Sequence, residues 1–161
     1  MKLISFPRIK QRYEYDCGAK CVQGVLSYYG IKVGEDRIIK LAGTKKDAGT
    51  SINGSLNALR RYGLKCIHGK FTAEKLKGFV DRKIPVMILI QDRKPRGVKW
   101  KDAWSEGHYV VVVGYDCSKI YFQDPYLGMR KGLSFRELVE RWHDKDEYFG
   151  KCFNYGIAVK K

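Results

Sequence analysis

QRYEYDCGAKCVQGVLSYYG, residues 11–30, runs from a polar, aromatic segment into an apolar stretch with helical spacing, and a cysteine stands at the junction. Cys17, Cys21, Val25 and Tyr28 or Tyr29 fall on one face of a helix over 17–29, with Gly30 as its stop. Asp16 suits the N-cap position. Partial positive charge and unpaired N–H groups at a helix start favour thiolate over thiol, although the adjoining Asp16 charge partly opposes this. By type alone a free cysteine is a small buried hydrophobe, and Cys21, one turn deeper, reads as helix packing. Gln11 is either an exposed loop amide or a donor that swings its N–H toward a carbonyl under attack, beside the Cys17 backbone N–H.

A nucleophilic thiol needs a base, and the base needs a group to orient it. GHYVVVVGYDCSKIYFQDP, residues 107–125, supplies both. His108 opens an apolar strand and Asp124 ends the next one; the DCSK turn between them brings the outer ends of the antiparallel pair together. Asp124 can then hold the tautomer of His108 and stabilise its imidazolium. Pro125 keeps Asp124 extended. A lone histidine at this place would be a cap or a satisfied core residue; beside Cys17, Gln11 and Asp124 it completes the parts that thiol acyl transfer requires.

Around these two stretches the periodicity changes character near residue 64. Before it the spacing predicts helices over 17–29, 35–41 and 51–62, closed by Gly30, Gly43 and Gly63. After it strands dominate, over 65–70, 86–91, 109–115, 119–123 and 155–160. Two helices interrupt them: one over 73–82 capped by Thr72, and one over 135–142 opened by the Ser134/Glu137 capping box. Helices first and strands later describe an α+β domain, with a helical lobe over about 1–63 packed on a mostly antiparallel sheet lobe over about 64–161. DRKPRGVKWKDAWSEG, residues 92–107, fits neither lobe. It is either a solvent loop whose Trp100 and Trp104 cover a sheet edge or a lid whose tryptophans contact substrate.

The chain of 161 residues, 44% hydrophobic and 13% aromatic, is expected to form one domain with a real core. Its start offers only a short apolar stretch before Pro7 and Arg8, and no later segment approaches a membrane span, so the expectation is a soluble, cytoplasmic protein. Five cysteines in no regular framework read as reduced thiols. His68, His108 and His143 are too scattered to complete a zinc site with Cys17 and Cys21, and no metal or cofactor is expected. The net charge of +15 attracts anionic partners or merely solvates the surface; it does not choose among acidic peptide, nucleic acid and lipid.

With Gln11, Asp16-Cys17-Gly18, His108 and Asp124-Pro125 in hand, and GTSINGSLNALRRYGLK over 49–65 between them, the chain resembles the papain-like peptidases of the C39 family, the double-glycine leader peptidases. The resemblance covers most of the first 125 residues. It implies a papain-like fold and a cysteine peptidase with Cys17 as nucleophile, His108 as general base and then acid, Asp124 as orienting group and Gln11 as oxyanion donor. It also implies a precursor peptide as substrate, cut after a Gly-Gly type site. Members are commonly fused to a membrane exporter; this chain carries neither transmembrane helices nor an ATP-binding domain, so a stand-alone form with an exporter in trans is expected. The basic surface would steer an acidic leader. Two rivals stand beside this reading. One is a thiol amidase, deamidase or acyl transferase using the same triad. The other is a nonenzymatic binding module, with basic residues and Trp100 and Trp104 as stacking surfaces for nucleic acid, a class that has no need of all four catalytic parts.

Overall fold

Val86–Gln91, VMILIQ, is apolar without alternation until its last residue, and all six side chains are buried. A strand of that kind needs cover on both faces. The computed structural model, which describes residues 1–161, provides it. This strand, β3, lies near the middle of a seven-stranded antiparallel sheet. From one edge the order is β2 (Lys65–Lys70), β9 (Tyr155–Lys160), β3, β4 (Gly107–Tyr115), β5 (Lys119–Asp124) and β6 (Met129–Ser134). The short β1 (Lys2–Leu3) pairs with the last residues of β4, beyond the end of β3.

Alternation along β4 sends its side chains to two cores. Tyr109, Val111 and Val113 join Val22, Leu26, Ile38, Ile52 and Leu59 from α1 (Cys17–Tyr28), α2 (Glu35–Ala42) and α3 (Ile52–Arg61). Val110 and Val112 join Leu76, Phe79 and Leu138 from α4 (Ala73–Asp81) and α5 (Phe135–Arg141) on the opposite face. The sheet is therefore sandwiched, and the two late helices form a layer of their own. Truncating a fully buried leucine such as Leu26 at this density costs about 2–5 kcal/mol.

All five expected helices and all five expected strands are present, with ends displaced by at most two residues. Thr72 and Ser134 cap α4 and α5 through their hydroxyls, accepting from the backbone N–H of Lys75 and Glu137. Four strands lack a sequence signature: β1, β6, and the polar hairpin of β7 (His143–Asp146) and β8 (Gly150–Phe153), which forms a separate two-stranded sheet. The β6 strand is held by its backbone ladder to β5, with only Leu133 buried. No helix is long and apolar enough to cross a membrane.

Candidate active site

Cys17 is the first residue of α1 and is half-buried. Gly18 sets how closely this end approaches its neighbours: a Cβ there would stand 2.7 Å from Thr50 Cβ and 2.9 Å from Tyr109 Cδ2. The helix start is thereby pressed against β4 and the segment before α3. Asp16 occupies the N-cap position, but its carboxylate makes no bond to the helix. It turns back and accepts from the backbone N–H groups of Arg12 and Tyr13, both at 3.0 Å, and so shapes the loop that bears Gln11. Cys21 is fully buried, its thiol donating to the Tyr109 carbonyl at 3.5 Å.

The strand pair places the base and its partner. Val111 stands opposite Gln123, so Asp124, one position on, shares a sheet face with His108. His108 Nε2 meets Asp124 Oδ1 at 2.7 Å with both side chains buried. Burial opposes a charge on His108, but the Asp124 hydrogen bond and the neighbouring Cys17 sulfur more than offset it and raise the ring to about 10. Asp124 moves the other way. Burial pushes its carboxyl up, yet His108 and the backbone N–H of Tyr126 hold it below the usual carboxylate range. With Nε2 engaged, Nδ1 is the ring nitrogen left to exchange protons.

Gln11 is tied to the same region, since its backbone N–H donates to the Pro125 carbonyl at 2.8 Å. One Nε2 hydrogen bonds the Tyr13 carbonyl at 2.6 Å, which settles the way the amide faces. Its Oε1 is buried without a partner.

Cys17, His108 and Gln11 line one cleft of about 690 Å³. Trp104 lines it too, packed against His143 and Phe153 with ring centroids 4.5 and 5.3 Å away. The structure separates the two tryptophans of the basic loop. Trp100 lines a different depression that shares no residue with the cleft, with the Arg141 guanidinium 4.1 Å from its ring centre. The physical reason is the loop's anchorage: Arg141 on α5 donates to the carbonyls of Gln91 and Asp92 and draws Trp100 toward the helix. The loop thus contributes one tryptophan to the cleft and one to the scaffold.

Two carboxylates that the sequence did not single out lie beside His108. Asp92 brings a carboxylate oxygen within 4.8 Å of the donor atoms of His108 and Asp124. Three such donors could hold a cation, but the hydrogen bond already joining His108 to Asp124 occupies two of them, and Asp92 is better suited to balancing an imidazolium. Asp144, on β7, sits over Gly107, where a Cβ would come within 2.0 Å of its Oδ2. Burial lifts Asp144 to about 6. Neither residue belongs to an apolar periodicity, so no sequence signal marked them.

Comparison with known proteins bears on the family and the fold. The sequence model of the peptidase C39 family matches residues 5–145. The lactococcin-G-processing and transport ATP-binding protein LagD of Lactococcus lactis subsp. lactis is 29% identical over 138 residues, covering 83% of this chain and 17% of LagD. This chain thus spans about a sixth of that relative. A C39-like peptidase of Bacillus anthracis superposes with a TM-score of 0.75 at 17% identity, over 100% of this chain and 98% of its own. A double glycine motif protease from an AMS/PCAT transporter, solved with a leader peptide, superposes with a TM-score of 0.67 at 23% identity, over 97% and 98%.

Proposed function

The chain belongs to the peptidase C39 family, and on that footing we propose that it is a cysteine peptidase that cuts a precursor peptide through Cys17, His108 and Asp124. The observation that carries the reading is the buried 2.7 Å contact between His108 and Asp124 in the cleft that also exposes Cys17 at a helix start. Cys17 Sγ attacks the scissile carbonyl while its proton resides on His108. The oxyanion is held by the Cys17 backbone N–H and the second Nε2 hydrogen of Gln11. Forming the carbon–sulfur bond of the tetrahedral intermediate removes the sulfur's negative charge, one of the influences that raise His108, so the ring gives its proton to the leaving amine as the intermediate collapses to the thioester. Water, deprotonated by the same ring, then frees the acyl group and restores the thiol.

Relatives and shape support the substrate class. The double glycine protease was solved with a leader peptide, and LagD's name joins processing to transport. A leader cut after small residues, and an exporter that takes the matured peptide, are the corresponding proposals here. A second groove of about 450 Å³, lined by Lys10, Arg12 and three tyrosines, Tyr13, Tyr15 and Tyr126, with Glu14 as its one carboxylate, continues from the cleft. Its cations outnumber its carboxylate two to one and its wall is aromatic, which suits an acidic, amphipathic leader and favours an extended peptide over a single side-chain amide.

Iodoacetamide labelling followed by peptide mass spectrometry tests the chemistry. Cys17, half-buried, is expected to label faster than the exposed Cys117, and His108→Ala is expected to slow Cys17 alone by tenfold or more. Labelling of Cys17 no faster than Cys117, with no effect of His108→Ala, would remove the nucleophile assignment. Incubation with a Gly-Gly leader peptide then tests the substrate.

A further inference from the structure

The cleft does not share the charge balance of the chain. Lys and Arg outnumber Asp and Glu 32 to 17 overall, yet the cleft is lined by five carboxylates, Glu14, Asp47, Asp92, Glu106 and Asp144, against Lys46, Arg93 and Lys145. Arg93 lies 3.7 Å from Asp92 and 3.9 Å from Glu106. Asp144 has no such partner. Its Oδ1 accepts from Gln91 Nε2 at 3.2 Å and from the Lys145 backbone N–H at 2.8 Å, while Oδ2 accepts nothing and overhangs Gly107, next to His108.

Asp144 also lines a smaller pocket of about 80 Å³, walled in part by Cys17, Thr50, His108 and Tyr109. That pocket shares no residue with the cationic groove around Lys10 and Tyr126. The Tyr109 ring walls that pocket, while its hydroxyl is closed off beside Ser55. A group that enters beside Cys17 therefore meets a carboxylate with one oxygen free of hydrogen bonds, its charge balanced only in part by His108, in a space that admits a few heavy atoms.

We propose that Asp144 is a specificity-determining residue of the cleft, which receives a primary ammonium group of the peptide, from a lysine side chain or a free amino terminus, beside the scissile bond. The proposal rests on the peptidase reading for its substrate but not for its charge. A carboxylate whose second oxygen lacks a donor gains a charge-assisted hydrogen bond from an ammonium, whereas an anionic or bulky apolar group would leave it desolvated and unpaired. Substrate charge would then run in two directions, acidic toward the Lys10 groove and basic toward Asp144. Orientation of the peptide follows from that polarity.

Charged thiol reagents separate the two readings. Rates of disulfide formation at Cys17 with 2-aminoethyl and 2-sulfonatoethyl methanethiosulfonate are measured by peptide mass spectrometry for wild type, Asp144→Asn and Glu140→Gln. Glu140 removes the same charge from α5, away from the cleft. The cation-to-anion rate ratio is expected to fall about fivefold or more in Asp144→Asn and to stay within twofold in Glu140→Gln. Equal ratios in the two variants would overturn the proposal. Asp144→Ala repeats the test should the amide disturb the hairpin, with the same criterion. A second arm compares Gly-Gly peptides carrying lysine, acetyl-lysine or glutamate after the cut, and their amino-terminally acetylated forms. Preference for the free ammonium, lost in Asp144→Asn, supports the subsite and names its source. If no peptide is cut, the peptidase reading fails while the reagent ratio still decides Asp144.

Discussion

Glu35→Gln is expected to stabilise the protein at alkaline pH and to leave it unchanged at acidic pH. Glu35 opens α2 but is only 6% exposed, and it faces Asp16, which is fully buried. Lys20 Nζ lies 3.1 Å from its Oε2, and Arg12 Nε lies 4.0 Å away. Burial and the Asp16 carboxylate raise Glu35 from 4.5 to about 7, against the opposing pull of Lys20. At about 1.4 kcal/mol per tenfold change in proton affinity, that difference is worth about 3 kcal/mol. The sign follows from linkage: a carboxyl raised in the fold contributes stability that is full below its unfolded value near 4.5 and is lost as pH rises through about 7. An amide mimics the protonated acid at every pH, and the Lys20 attraction is already contained in the value near 7, so the gain expected at pH 8.5 is up to about 3 kcal/mol, against about zero at pH 4. Guanidinium unfolding followed by tryptophan fluorescence at both pH values reads it. If Glu35→Gln were the less stable protein at pH 8.5, the Lys20 pair would be the dominant interaction and the reasoning would fail. The outcome matters for the site because Asp16 holds the Arg12 and Tyr13 amides and precedes Cys17.

Two further substitutions probe the triad and its surroundings. Asp124→Asn keeps the shape of the buried partner but removes the charge that stabilises the imidazolium; peptide cleavage is expected to fall by about 10²–10⁴ in kcat with a smaller change in KM, and an unaltered kcat would dismiss Asp124 as the orienting group. Gly107→Ala puts a Cβ where Asp144 Oδ2 now lies, and Asp144→Ala should relieve the crowding. The single variant is expected to lose about 1–3 kcal/mol on unfolding, with most of it recovered in the double variant; additive effects would place the strain elsewhere.

The parts of this protein that were legible in its sequence are those whose position depends on local periodicity. Cys17 marks where an apolar helical run begins, His108 where an apolar strand begins, and Asp124 where its partner ends; an antiparallel pair joined by a tight turn cannot help bringing the last two together. What escaped was held by tertiary partners instead. The β7 strand reads HDKD and has no apolar face, and it exists because β8 supplies the ladder while Gln91 donates to His143 O. Trp100 and Trp104 are four residues apart in one polar loop, and only the reach of Arg141 to the carbonyls of Gln91 and Asp92 decides that they part company. Asp16 shows a third kind of limit, because a carboxylate before a helix can cap forward or brace the loop behind it, and residue type favours neither.

The same contrast bears on what the charge is for. Composition averages over the surface, so +15 left open whether the charge draws anionic partners or only solvates the protein. The cations that could meet a leader, Lys10 and Arg12, lie along the groove beyond Gln11, whereas the walls around Cys17 and His108 carry more carboxylates than cations. Long-range attraction and local selection are separable because they act at different distances: steering works over about a Debye length of 8–10 Å and fades with salt, while a half-buried carboxylate with a free oxygen acts at hydrogen-bond range and is screened less. Raising ionic strength should therefore slow capture of an acidic leader, seen as a fall in kcat/KM, and leave the preference for an ammonium beside the cut nearly unchanged. A salt dependence shared equally by both would mean that a single diffuse field accounts for them, and the division between groove and cleft would have no functional content.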